Sequence, residues 1–234
     1  MKEKPISFNA PMVRAVLANI KKMTRLVILP RPVIDSGFEA NYDEPEWVLN
    51  WKKYEDGFTP EELAKKCPYG KPGDHLWVRE TWAVAINVEN QDNWPGRPHI
   101  QVGDMPFSKA VVYAADGHFQ WCDGDGFLID KSQWKPSIHM PRWASRITLR
   151  ITDIRVERLR NISEADAIAE GIVQGSDGYF YTGVPVKTGT ETFARYVTAR
   201  NAFKHLWQSI YGNDPVKSWD ANPWVWALSF ERVK

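Results

Sequence analysis

Arg146-Ile147-Thr148-Leu149-Arg150-Ile151-Thr152-Asp153-Ile154-Arg155-Val156-Glu157-Arg158-Leu159 carries the clearest strand signal in the chain. Ile147, Leu149 and Ile151 alternate onto one face, and then Ile154 and Val156 take the opposite parity. A slip of one residue predicts a bulge near Thr152-Asp153, a device that bends barrel strands. Just after it, Ser163 caps a helix over Glu164 to Glu170 that stops at Gly171. A further helix is expected near Thr192 to Tyr211, ending at Gly212, with a closing strand over Trp224 to Val233.

Toward the N-terminus, Gly70-Lys71-Pro72-Gly73-Asp74 is a strong turn, and Leu76 to Ala83 alternates as a strand. Residues 5–8 read as an opening strand. Asn9 then caps a helix with Pro11 in its first turn and an apolar stripe from Met12 to Ile20. A short strand, Leu26 to Leu29, stops at Pro30-Arg31-Pro32, and Ala110 to Ala114 forms another. Thr59-Pro60-Glu61-Glu62 is a good helix start. The segments 35–66, 87–107, 116–136 and 173–190, rich in Gly, Pro, Asp and Trp, are expected as long insertions. Several short strands with a few helices make a single α+β domain over 1–234, not a βαβ array.

Composition narrows the function classes. In 234 residues, 30 Lys+Arg nearly balance 29 Asp+Glu, so a global electrostatic hold on nucleic acid is not expected, although a local basic face is. Cys67 and Cys122 match no paired metal spacing and fit reduced thiols. The five His show no ligand pairing, and Asp123-Gly124-Asp125-Gly126 lacks the remaining calcium-loop ligands. No metal or cofactor is expected. No stretch approaches the ~20 apolar residues of a bilayer span, and no leader follows Met1. A cytoplasmic protein without membrane contact is the expectation. Twelve Trp are unusual and suit both core packing and stacking on bases.

Chemistry concentrates at three positions. Val13, Leu17 and Lys21 stack at four-residue spacing, so Lys21 continues the buried stripe, and Thr24 keeps a hydroxyl beside its amine. Leu76, Val78, Glu80 and Trp82 share one strand face, which puts Glu80 among apolar neighbours. A carboxylate there must be paired or protonated, and Lys21 is its expected partner. A structural ion pair satisfies the same pattern, and a reversed register would turn Arg79 inward instead.

These residues fall in segments that resemble a known family. Lys21-Lys22-Met23-Thr24-Arg25, the run from Cys67 through Asp74 into Leu76-Trp77-Val78-Arg79-Glu80-Thr81-Trp82, and Trp134 through Arg146 are similar to ASCH-domain proteins of phage and prophage type. The likeness continues through Ile162 to Ala167, Glu170-Gly171-Ile172 and Trp219 to Trp226, roughly half of the chain in order. The resemblance implies a small PUA-like β-barrel with flanking helices. It also implies kinship with bacterial amidohydrolases that deacetylate N(4)-acetylcytidine, with Lys21, Thr24 and Glu80 as the catalytic set. Arg25, Arg79, Trp82, Arg142, Trp143 and Arg146 are the expected substrate-binding residues, and the partner is a nucleoside, RNA or single-stranded nucleic acid. If phage-encoded, the chain would work in a bacterial host's cytoplasm. The family's Gly two residues before the Lys is Asn19 here, and its Arg two residues after the Thr is Leu26. In the implied mechanism, neutral Lys21 takes the Thr24 proton and Glu80 protonates the leaving amine. A non-catalytic binding module, a ribonuclease and an adaptor are the alternatives.

Overall fold

A computed structural model describes residues 1–29, 59–85, 110–117, 121–122, 128–129, 134–182 and 194–234. The expected insertions at 35–58, 87–107 and 183–190, and most of 116–136, lie outside the described residues.

The architecture is α+β. Strands β1 (Glu3–Ser7), β2 (Met23–Val27), β3 (His75–Arg79), β8 (Thr148–Arg158) and β11 (Trp224–Arg232) form a five-stranded sheet in the order β1-β3-β8-β11-β2. Only β1 and β3 are parallel. Three two-stranded ladders accompany it: β4 (Trp82–Ala85) with β5 (Ala110–Tyr113), β6 (Trp121–Cys122) with β7 (Leu128–Ile129), and β9 (Val173–Gln174) with β10 (Phe180–Tyr181). The last of these occupies part of the expected loop at 173–190.

The bulge falls where the parity slip puts it. Ser229 pairs with Asp153 and Phe230 with Ile151, so Thr152 is the unpaired extra residue. The sheet is strongly curled. Phe8, just beyond β1, packs against Phe230 of β11 with ring centroids 6.1 Å apart, although β3 and β8 lie between those strands. In a flat sheet the same strands would stand about 14 Å apart. No ladder joins the edge strands β1 and β2 among the described residues.

Four helices cover the sheet. α1 (Ala10–Leu17) and α2 (Pro60–Lys65) bury Val13, Val16 and Leu63 in one core with Leu76, Val78, Leu149, Ile151, Ile154 and Leu228. Leu63 is fully buried, so the end of the expected 35–66 insertion belongs to the core. α3 (Glu164–Ala169) and α4 (Ala199–Tyr211) build a second core with Val225 and Trp219 on the opposite sheet face. Each helix has a side-chain cap: Asn9, the reciprocal Thr59–Glu62 box, Ser163 and Thr198. Thr198 starts α4 later than the expected Thr192, because its side chain takes the Asn201 N–H.

Two boundaries differ from expectation in ways that matter for the site. α1 stops at Leu17 and does not run on to Lys21. Asn19 adopts φ 58, with Asn19 N–H donating to Val16 O and Ile20 N–H to Ala15 O, the paired bonds of a Schellman turn. Asn is one of the few residues that tolerate this left-handed conformation. The following strand accordingly begins at Met23, not Leu26, and takes in Thr24 and Arg25. The strand expected over Leu76 to Ala83 is likewise two strands, broken at Glu80-Thr81, where β4 leaves the main sheet to pair with β5.

The exposed Asn19 turn is testable. Asn19→Ala is expected to cost about 1 kcal/mol of stability in urea denaturation, and Asn19→Gly to be neutral or slightly stabilising. Equal losses for the two would refute a backbone origin.

Candidate functional site

Strand directions bring the candidates to one end of the sheet. β1, β3 and β11 run toward it, and β2 and β8 run away from it. Lys21 and Thr24 lie at the entry of β2, Glu80 at the exit of β3 and Arg146 before the entry of β8. Thr24 is paired with Leu228, itself opposite Ile154, and so faces the first core. Glu80 continues the inward alternation of Leu76 and Val78 and is 1% exposed. Thr24 and Glu80 therefore address the same apolar core from the same end.

Glu80 is gripped by Arg146. Nε donates to Oε1 and Nη2 to Oε2, each at 3.0 Å. The same guanidinium donates twice to Asp116, at 2.8 and 2.7 Å. Its carbon lies 3.9 Å from the centroid of the Tyr113 ring, a cation–π stack. Asp116 ends the short 3-10 turn Ala114–Asp116, which Arg14 of α1 ties down through the Ala115 carbonyl at 3.3 Å. One cation thus serves two carboxylates. Burial, assisted by the charge of Asp116, pushes the Glu80 carboxyl above its ordinary range, and the bonds and charge of Arg146 pull it back only in part. Burial likewise raises the Tyr113 phenol.

Lys21 does not meet Glu80; that expected pair is replaced by one with Glu170. The Lys21 ammonium donates to Glu170 Oε2 at 2.7 Å and to the Glu170 carbonyl at 2.9 Å. Its nitrogen lies 6.0 Å from the Phe8 ring centroid, and Phe8 N–H donates to the carbonyl of Arg79, the residue before Glu80. The backbone is docked too, with Lys22 N–H donating to Ala169 O at 2.7 Å. Gly171 follows at φ +110, a backbone conformation that favours glycine.

Arg25 is not available to a substrate. Its side chain is fully buried on the second-core face, where it donates to Glu170 at 3.1 Å, Asp166 at 2.9 Å and Glu157 at 2.5 Å. Arg155 joins at Asp166 and Glu157. Burial opposes ionisation of Asp166, but Arg155 and Arg25 together hold its carboxyl below the usual range. This network sets Lys21, Arg25 and Arg155 against Glu157, Asp166, Glu170 and, at its exposed end, Asp153.

The other binding candidates divide. Arg146 belongs to the Glu80 cluster. Arg79 and Arg142 both lie near Trp77, at 5.8 and 5.9 Å from its ring centroid, and Arg142 is also bound to Glu3 at 2.9 Å. Trp82 is buried with Met140 and Ala144, not with Glu80, because of the break after β3. Trp143 is 66% exposed and stands edge-on to Trp82 at 6.0 Å, while Lys135 sits 5.1 Å over the Trp82 ring.

Sequence reasoning missed Glu170 and Asp116. Glu170 had a signal: a carboxylate at the C-cap of α3 opposes the helix dipole, which implies a cation partner. Asp116, in a segment expected as loop, had none. Among the described residues no cluster of three or more His, Cys, Asp or Glu could hold a metal ion, and no helix is long and apolar enough to cross a membrane.

The Glu80–Arg146 bond makes a signed prediction. A carboxyl that holds its proton more tightly folded than unfolded loses stability as pH rises from about 4.3 through its folded value. Arg146→Ala removes the main influence lowering that value. It is expected to destabilise by about 3 kcal/mol near pH 7, with the deficit shrinking toward pH 4.5 in urea titrations. A deficit independent of pH would contradict this account.

No family model, curated protein or solved structure matches the chain, and the functional reading rests on this geometry.

Proposed function

We propose that the chain is an amidohydrolase acting on an acylated nucleobase or nucleoside, with a PUA-like barrel of the ASCH type as its scaffold. The carrying observation is a buried carboxylate with a raised pKa and a Thr hydroxyl directed at one core from one end of the sheet. The barrel reading is supported by the Thr152 bulge and by the curl that joins Phe8 to Phe230.

In this reading Thr24 Oγ attacks the acyl carbon while Glu80 takes the hydroxyl proton. The carbonyl oxygen becomes an oxyanion beside the Lys21 ammonium. Collapse breaks the C–N bond as Glu80 returns its proton to the leaving amine. Water then cleaves the Thr24 ester by the same relay, so the sum is amide plus water giving acid plus amine. A carboxyl with an elevated pKa suits both halves of that relay. In this scheme Lys21 is an oxyanion donor, not the proton acceptor, since its nitrogen already donates to the Glu170 carboxylate at 2.7 Å.

The test is a mass-spectrometric screen of N-acylated nucleosides. The wild type should release the free base amine, Thr24→Ala should lose about a thousandfold or more, and Glu80→Gln about a hundredfold or more. Undiminished turnover by folded Thr24→Ala would refute the scheme.

A second reading, a module for single-stranded RNA or DNA, is favoured by exposed Trp143 beside Lys135, Arg79 and Arg142. With about three phosphate contacts, log affinity should fall against log salt with a slope near −2, roughly. A nucleoside hydrolase would respond little. Cleavage of labelled RNA in chelator would point instead to a ribonuclease.

A further inference from the structure

The Lys21 ammonium has three N–H donors. Two are taken by one residue, the side chain and the main-chain carbonyl of Glu170. The other carboxylate oxygen of Glu170 receives Arg25 at 3.1 Å. Glu170 is itself held in place, because it is the C-cap of α3 and the preceding Ala169 carbonyl accepts Lys22 N–H at the β2 entry. The charged groups around it, Arg25 on β2, Asp153, Arg155 and Glu157 on β8 and Asp166 on α3, are paired with one another, although Arg25 Nε has no partner. The Phe8 ring covers another side of the amine. A clamp that uses two of the three donors leaves one N–H with no partner among the described residues.

We propose that Glu170 is a positioning residue for the hydrolytic site: it fixes Lys21 as an ammonium whose third N–H is reserved for the acyl oxygen of the substrate. This rests on the amidohydrolase reading and extends it to a residue 149 positions away in sequence. It also defines what the site accepts. The group bound at Lys21 is an oxygen that gains negative charge during reaction, as an amide carbonyl does, and not a group that must give up a proton to it.

A double-mutant cycle tests this on the full chain. Glu170→Gln keeps the shape and removes the charge. It is expected to lower kcat about a hundredfold with KM changed less than about threefold, as loss of an oxyanion donor does. Lys21→Met should lose at least as much, and the Lys21→Met/Glu170→Gln double variant no more than Lys21→Met alone. Additive losses, or wild-type kcat in Glu170→Gln, overturn the proposal. Should Glu170→Gln fail to fold, Glu170→Asp takes its place. It keeps the charge but withdraws it by one methylene, and the same loss of kcat is expected. A second readout is independent of turnover. A buried, hydrogen-bonded ammonium exchanges slowly, so the Lys21 side-chain signal should be visible in nitrogen-resolved NMR of the wild type and vanish in the Glu170 variant. Absence of turnover by the wild type on every acylated nucleoside would fault the amidohydrolase reading, while a Lys21 signal that survives in the Glu170 variant would fault the clamp.

Discussion

The Glu170 carboxylate, lying between the Lys21 ammonium and the Arg25 guanidinium, is the constraint to which the site end of the molecule is tied. Neither cation is tolerable in that interior alone, since an isolated buried charge would be driven to neutralise or would cost several kcal/mol. Glu170 bonds to both, and the geometry this demands propagates outward. α3 delivers its C-cap residue to the start of β2, Gly171 takes a positive φ of 110 directly after it, and α1 ends in a left-handed turn before Lys21. Asn19, Gly171 and Lys21 are thus parts of one mechanical arrangement.

The two charged clusters differ in kind. Around Glu170, three cations meet four carboxylates and most groups have several partners. Such multiple pairing suits a scaffold. Around Arg146, one cation faces Glu80 and Asp116, and the more buried of the two carboxylates is the one whose proton affinity rises. An unbalanced set beside an apolar core is where proton transfer is easiest to arrange. On the proposed reading, the first cluster holds Lys21 in place and the second moves the proton.

Local signals in the sequence were informative where local physics decides. The parity slip at Thr152-Asp153 marks the observed bulge, and Asn9, Thr59, Glu62 and Ser163 cap the helices as their side chains allow. Alternation through Leu76 and Val78 correctly turned Glu80 inward. The errors came from periodicity outrunning its cause. The apolar stripe of α1 continues in sequence past Leu17, but one positive φ at Asn19 ends the helix. Alternation likewise runs on through Trp82, although the chain there changes from one ladder to another. Lys21 and Glu80 were both recognised as needing partners. Which partner each takes depends on contacts 149 and 66 residues away, respectively, and no short-range pattern encodes that choice.

The buried Lys21–Glu170 pair bears on how this protein can change over generations. Losing Glu170 takes the only carboxylate bound to Lys21 among the described residues, so replacements there must arrive as a compensating pair or pass through a weakened intermediate. The surface pair Arg150–Glu231, about half exposed on both sides, carries no such coupling and is free to drift. Lineages of this chain should therefore diverge quickly at the solvent-facing positions of β8 and β11 while Lys21 and Glu170 turn over only together.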